Sequence, residues 1–125
     1  MILDTNALSA LADEDPALLA LLDAEVFHHL PVVVLGEYRA GLMRSRLRKA
    51  VEPWLEKLEY ESVVLNATAT TARLYAEIFN ELRTAGRPIP THDIWIAALA
   101  REHALPVVTR DAHLGFVKGV KVKGW

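Results

Sequence analysis

THDIWIAALAREHALPVVTRD, residues 91–111, decides the fold, because it places a helix and a strand back to back. Thr91 offers an N-cap, and Ile94, Ala97, Ala98 and Arg101 follow the 3.6-residue period of one helix face. Pro106 to Thr109 then reads as a strand, an apolar pair running into a polar end, with Asp111 one residue beyond it. The chain begins in the same way. Met1 to Leu3 is a very short apolar strand with Asp4 directly after it, followed by a helix that Asn6 can cap, and Asp15-Pro16 is a cap-and-first-turn signature for a second helix.

Between these ends, Val26 to Leu30 predicts a second strand. PVVVLGEYRAGLM, from Pro31, is ambiguous: its valines favour a strand, but Leu35, Tyr38 and Leu42 fall at helical spacing, which decides for a helix. Val51, Leu55 and Leu58 share one face of the next helix, which runs to about Glu59, and Ser62 to Leu65 is a third strand. Asn66 or Thr68 opens a helix ending at Ala85-Gly86, RPIP is a proline-punctuated loop, and Val120 to Val122 predicts a short edge strand. Strands alternating with helices, without internal repeats, specify an α/β fold. Its sheet should be mainly parallel with helices on both faces, since each connection contains a helix and such crossovers are right-handed.

At 125 residues the chain fits one domain, 1–125, with one core. Apolar residues make up 52% and charged residues 24%, and no apolar run reaches the ~20 residues of a membrane helix. The absence of cysteine excludes thiolate metal sites, thiol nucleophiles and disulfides. MILDTNALSALADEDP carries no basic segment ahead of its apolar residues, so it does not read as a signal peptide and a cytoplasmic location is expected. A net charge of −2 with a pI of about 6.2 gives no global field for an anionic polymer, so any nucleic-acid binding must be local. A metal held among acids would supply positive charge at the place where a phosphate sits. A mean hydropathy of +0.17 is generous for so small a domain and predicts apolar surface buried between chains, most simply in a twofold homodimer.

Ligands of open parallel sheets bind beyond the carboxyl ends of the strands. Asp4 and Asp111 both stand there, and if strands one and four are neighbours both acids line one crevice. Each would otherwise be an ordinary turn or cap residue. Asp93 falls in the first turn of an apolar helix, where complementing the helix dipole is sufficient reason for an acid. Glu37 is the lone acid of an apolar stretch; facing water it needs no role, but buried it needs a partner such as a cation. Carboxylates meeting without Lys or Arg between them repel unless a hard cation such as Mg²⁺ or Mn²⁺ sits among them, and the chemistry that follows is hydrolysis at phosphorus. Thr5, Asn6 and Thr109 add hydroxyl and amide groups at the same strand ends.

The five histidines, His28, His29, His92, His103 and His113, form no zinc pattern and carry no assigned role. Trp54, Trp95 and Trp125 read as core or interface residues rather than as stacking platforms for bases.

MILDTNALSAL, VVVLGEYRAGL, PTHDIWIAALA and VVTRDAHLGFVKGVKVKGW, in that order and spacing, resemble the PIN-domain ribonucleases, and most closely the VapC toxins of toxin–antitoxin pairs. The resemblance spans nearly the whole chain. It implies a PIN-like, Rossmann-like three-layer sandwich with a mainly parallel central sheet, and a toxic Mg²⁺- or Mn²⁺-dependent endoribonuclease. It further implies a homodimer inhibited by a VapB-like antitoxin. The family's catalytic and metal-holding acids fall on Asp4, Glu37, Asp93 and Asp111, and its supporting polar residues on Asn6 and Thr109. The basic run Arg44, Arg46, Arg48 and Lys49 is either a solvated helix face or a contact for RNA or an acidic antitoxin tail. Rival readings are a catalytically silent PIN-like binding module, against which four intact acids argue, and an aspartyl-phosphate-type phosphatase. The phosphatase usually needs a second Asp two residues after the first, where this chain has Asn6.

Overall fold

The computed structural model describes residues 1–23 and 27–125. Its elements in chain order are β1 (Ile2–Leu3), α1 (Thr5–Ala12), α2 (Pro16–Leu22), β2 (His29–Pro31), α3 (Val32–Leu42), α4 (Arg48–Glu61), β3 (Val63–Leu65), α5 (Ala69–Thr84), α6 (Thr91–His103), β4 (Val107–Val108), a 3₁₀ turn η1 (Ala112–Phe116) and β5 (Val122–Lys123). The strands form one sheet in the order β3-β2-β1-β4-β5, every described pair parallel, with helices flanking it. Ile2 pairs with Val107 and Leu3 with Val108, so β1 and β4 lie side by side at the centre and end together.

The core follows from this arrangement. Ile2, Leu3, Val107 and Val108 are fully buried, as an interior parallel strand requires. Helix α6 buries Ile94, Ile96, Ala97, Ala98, Leu99 and Ala100, nearly its whole circumference, because it packs against α5, α3 and η1. Its alanines let these neighbours approach closely, and Ala104, in the left-handed region at φ 53°, ends the helix and turns the chain back toward β4. The valine-rich segment after Pro31 is helical, as its Leu35, Tyr38, Leu42 spacing predicts.

Several boundaries differ from the sequence reading for identifiable reasons. Asn6 does not cap α1: the strand runs into the helix without a loop, so Asp4 occupies the cap and its Oδ1 accepts the Ala7 N–H at 2.8 Å. Thr91 likewise does not cap α6. Its place is taken by Pro90, whose carbonyl accepts from Asp93 and Ile94 at 3.1 and 3.3 Å, so Thr91 is already helical. Of the expected second strand, His29 and Leu30 are extended and Pro31 joins them, whereas Val26 lies outside the described residues. The last strand starts two residues later than expected, because Val120 closes a turn on the Val117 carbonyl, and it is Val122 and Lys123 that pair in register with Val107 and Val108 of β4. Among the described residues no helix is long and apolar enough to cross a membrane.

Candidate active site

The common end of β1 and β4 places two acids automatically. Asp4 follows Leu3, and its backbone N–H bonds the Val108 carbonyl at 3.3 Å, tying it to the neighbouring strand. Thr109 follows Val108, is 2% exposed, and links the two strand ends: its hydroxyl lies close enough to the Asp4 carboxylate to favour its charged form and accepts the Asp111 backbone N–H at 2.8 Å. Asp111 then caps η1 by accepting the His113 N–H at 2.9 Å. Thr109 therefore ties the backbone leading into Asp111 to the place where Asp4 stands.

The third acid enters from above. Asp93 lies in the first turn of α6, 4% exposed, and the buried apolar run behind it anchors that helix among α5, α3 and η1. Glu37 comes from α3 and stands at the rim, its side chain 44% exposed. Asp4, Glu37, Asp93 and Asp111 line one small cavity of about 50 Å³ together with Thr5, Asn6, His92 and Ile96. Among the described residues, no Lys or Arg lines it.

Two histidines to which the sequence reading gave no role complete the arrangement. His92 Nε2 lies 3.1 Å from Asp93 Oδ1 and 3.3 Å from Glu37 Oε2, bridging the buried acid to the rim. His113 Nδ1 lies 3.0 Å from Asp111 Oδ1 and 3.7 Å from Asp93 Oδ2. Both are half-exposed. The signal that could have found them is adjacency: His92 precedes Asp93 in a helical first turn, and His113 is the residue whose N–H Asp111 caps.

Burial pushes the Asp4 carboxyl above the ordinary carboxylate range, and the nearby charges of Asp93 and Asp111 push the same way against the neighbouring Thr109 side chain and the hydrogen bond from Ala7. Asp93 is raised as well, chiefly by burial and further by Asp111 and Glu37, with His92 and His113 opposing. Two buried carboxyls that other acids push upward, in a cavity lined by no Lys or Arg among the described residues, leave room for a cation. Asp93 Oδ2 and the Thr5 hydroxyl are buried without a hydrogen-bond partner, and ligand atoms of Asp93, Asp111 and His113 fall within 4.8 Å of one another. An oxygen-rich set with one imidazole and an orphaned buried carboxylate oxygen fits a hard divalent cation.

The remaining predicted residues are placed differently. Asn6 is exposed in the first turn of α1 and forms part of the cavity wall. Arg44 and Arg46 lie in the turn between α3 and α4, Arg48 and Lys49 open α4, and none of them lines the cavity; Arg48 is committed to Glu52 at 2.7 Å.

A family model described as PIN domain matches residues 1–119. The chain is 33% identical over 121 residues to the VapC ribonuclease Y4jK of Sinorhizobium fredii, covering 89% of this chain and 86% of that protein. Among solved structures it resembles VapBC-5 of Mycobacterium tuberculosis, described as a member of the VapBC family of toxin–antitoxin systems, with 28% identity, a TM-score of 0.69, and 98% of this chain and 94% of that one covered. The DNA-bound VapBC of Salmonella typhimurium superposes with a TM-score of 0.89 over 99% of this chain and 96% of that one; at 21% identity this establishes a shared fold.

Proposed function

The chain belongs to the PIN-domain family, and on that premise we propose that it is the toxic endoribonuclease of a toxin–antitoxin pair, a single domain spanning residues 1–125 that works in the cytoplasm. The observation that carries this reading is the meeting of four carboxylates from four separate elements in one cavity free of Lys and Arg among the described residues, with Asp93 Oδ2 left without a hydrogen bond. A structural acid has no need of such company. A purely structural cluster would be neutralised by a paired Arg or Lys, as Glu59 is by Arg39 at 2.7 Å elsewhere in the molecule.

Asp4, Asp93 and Asp111 would hold a Mg²⁺ or Mn²⁺ ion, with Glu37 at the rim reaching it through water. Bound there, the ion makes a water nucleophilic at neutral pH and offsets the charge of a phosphodiester. The protein supplies the frame. Thr109 fixes the backbone of Asp111 beside Asp4, and the burial of Asp93 and Ile94 in the first turn of α6 keeps Asp93 from swinging out. His113 and His92 hold the outer carboxylate oxygens at hydrogen-bond range and, when protonated, face an incoming phosphate with positive charge. Asn6 offers its amide to the substrate at the cavity mouth. The partners are an RNA substrate, a second copy of the chain and a VapB-like antitoxin.

Purified protein should cleave RNA with Mg²⁺ or Mn²⁺, stop with chelator and resume on adding metal back. Asp93→Ala and Asp4→Ala should abolish cleavage and growth inhibition, with Glu37 and Asp111 variants severely impaired. Cleavage that persists without metal after repurification rejects the mechanism, and sequencing of RNA ends after pulsed expression identifies the substrate.

A further inference from the structure

Beside the acidic cavity lies a second, larger cleft of about 360 Å³, lined by Asn6, Ser9, Asp13, Asp15, Arg110 and Trp125. Asn6 lines both, so the two spaces adjoin. Arg110 stands between Thr109 and Asp111 in sequence, and its backbone is fixed by the bond that joins those two.

The side chain of Arg110 is held as firmly. Its guanidinium lies 4.5 Å over the Trp125 ring on one face, and Nη2 bonds Asp15 Oδ2 at 3.0 Å. Asp15 is itself locked by the N–H groups of Ala17 and Leu18 at 2.9 and 3.1 Å. Those backbone bonds, that of Leu18 first, keep its carboxyl below the ordinary range, with the Trp125 and Arg110 side chains pulling the same way. The Trp125 indole N–H is buried and closes no well-formed hydrogen bond of its own, so what it gives Asp15 is proximity. With the Arg110 side chain 54% exposed, the face of the guanidinium turned away from Trp125 is open.

A fixed planar cation with one free face is a stacking surface for a nucleobase. A phosphate is the poorer occupant, because Asp13 and Asp15 outweigh Arg110, which is already paired. Asp13, at the end of α1, is exposed, and among the described residues its carboxylate makes no hydrogen bond or ion pair. Two free carboxylate oxygens accept best from two adjacent N–H donors, and of the four RNA bases only guanine presents such a pair, N1–H beside N2–H, on one edge.

We propose that this cleft is a base-recognition subsite in which a guanine flanking the scissile phosphate stacks on Arg110 and gives its N–H edge to Asp13. The inference rests on the ribonuclease reading and names what selects the cut. Trp125, expected from sequence to be only a core or interface residue, is then the backing of the stack.

Indole ¹H–¹⁵N spectra test the subsite apart from catalysis. Guanosine 5′-monophosphate at millimolar concentration should shift one indole signal, identified as Trp125 by its loss in Trp125→Phe, while the uridine nucleotide should not. Arg110→Lys keeps the charge but not the plane and should weaken this binding roughly tenfold, the usual scale for losing a stacking partner. Asp13→Asn should remove the preference for guanine over uracil in binding and in cleavage of short RNAs of varied sequence, with RNA still cut. No indole shift, unchanged binding in Arg110→Lys, or a cleavage preference that survives Asp13→Asn would each overturn the subsite while leaving the ribonuclease reading intact. Selective nucleotide binding by a protein that cuts no RNA would overturn the ribonuclease reading and keep the subsite.

Discussion

Replacing Asp4 by Asn separates the burden of a buried charge from its use. Asn caps a helix as well as Asp, and its side-chain oxygen can still accept the Ala7 N–H that Asp4 takes at 2.8 Å, so the β1–α1 joint should survive. What disappears is a charge in a site 5% exposed, where burial and two neighbouring acids already disfavour ionisation. Without metal at pH 7 the variant should therefore melt no lower than the parent. With Mg²⁺ or Mn²⁺ the order should invert. An ion at a hundred times its Kd, binding only the folded state, stabilises by about 2.7 kcal/mol. With about 2.1 cal/mol/K of unfolding entropy per residue, a chain of 125 residues melts with roughly 0.26 kcal/mol/K, so the parent should gain about 10 °C. Asp4→Asn should lose most of that rise. Thermal melts followed by circular dichroism, with and without chelator, read both effects. A variant that responds to metal like the parent would refute the placement of the ion, and one that unfolds without metal would refute the claim that Asp4 is a functional burden rather than a structural necessity.

The parts of this molecule that were legible in its sequence are those set by backbone period and strand ends. Asp4 and Asp111 could be placed together because parallel strands end in one layer, and Thr109 because it lies between them. The cap of α1 was misplaced because a single residue separates it from β1: the sequence shows Asp4, Thr5 and Asn6 in a row, but only the length of β1 decides which is the cap. Thr91 was misplaced for a different reason, because the loop before α6 ends with the Pro90 carbonyl already accepting the first helical bonds. Glu37 was distinguished mainly by family resemblance. Its link to the other acids runs through His92, and whether a first-turn imidazole turns inward depends on the packing of α6 against α3, which no local pattern encodes. Arg110 and Trp125 meet from different segments of the chain, so their stacking is a property of the folded surface alone.

The acids of the site also set a pH dependence. Asp4 and Asp93 have folded-state values raised above their unfolded ones, so their contribution to metal-free stability is fully present below the ordinary carboxylate value of 3.8 and is lost as pH rises through the raised values. The stability of the metal-free parent relative to Asp4→Asn should thus fall with rising pH, and urea melts at several pH values showing a constant or rising difference would contradict this. Ala104→Gly should stabilise the protein by about 0.5–1 kcal/mol, since Ala104 holds a left-handed conformation at φ 53° that glycine adopts without a Cβ clash. A lower melting temperature would mean that its side chain contributes more by packing than its backbone costs. The last expectation concerns assembly, where Phe79, 42% exposed on α5, continues a row of rings through Tyr75 at 6.2 Å to Trp95, itself 4.3 Å from Tyr75. Phe79, Leu82, Ile89 and Ile94 border an apolar hollow at the same place, and the expectation is that a second copy related by a twofold axis seats its own Phe79 there. The parent should scatter light as a dimer at micromolar concentration and Phe79→Glu as a monomer, because the new carboxylate would be buried unpaired at the centre of the contact. A monomeric parent would exclude this interface outright, and a dimeric Phe79→Glu would move it to another face of the molecule.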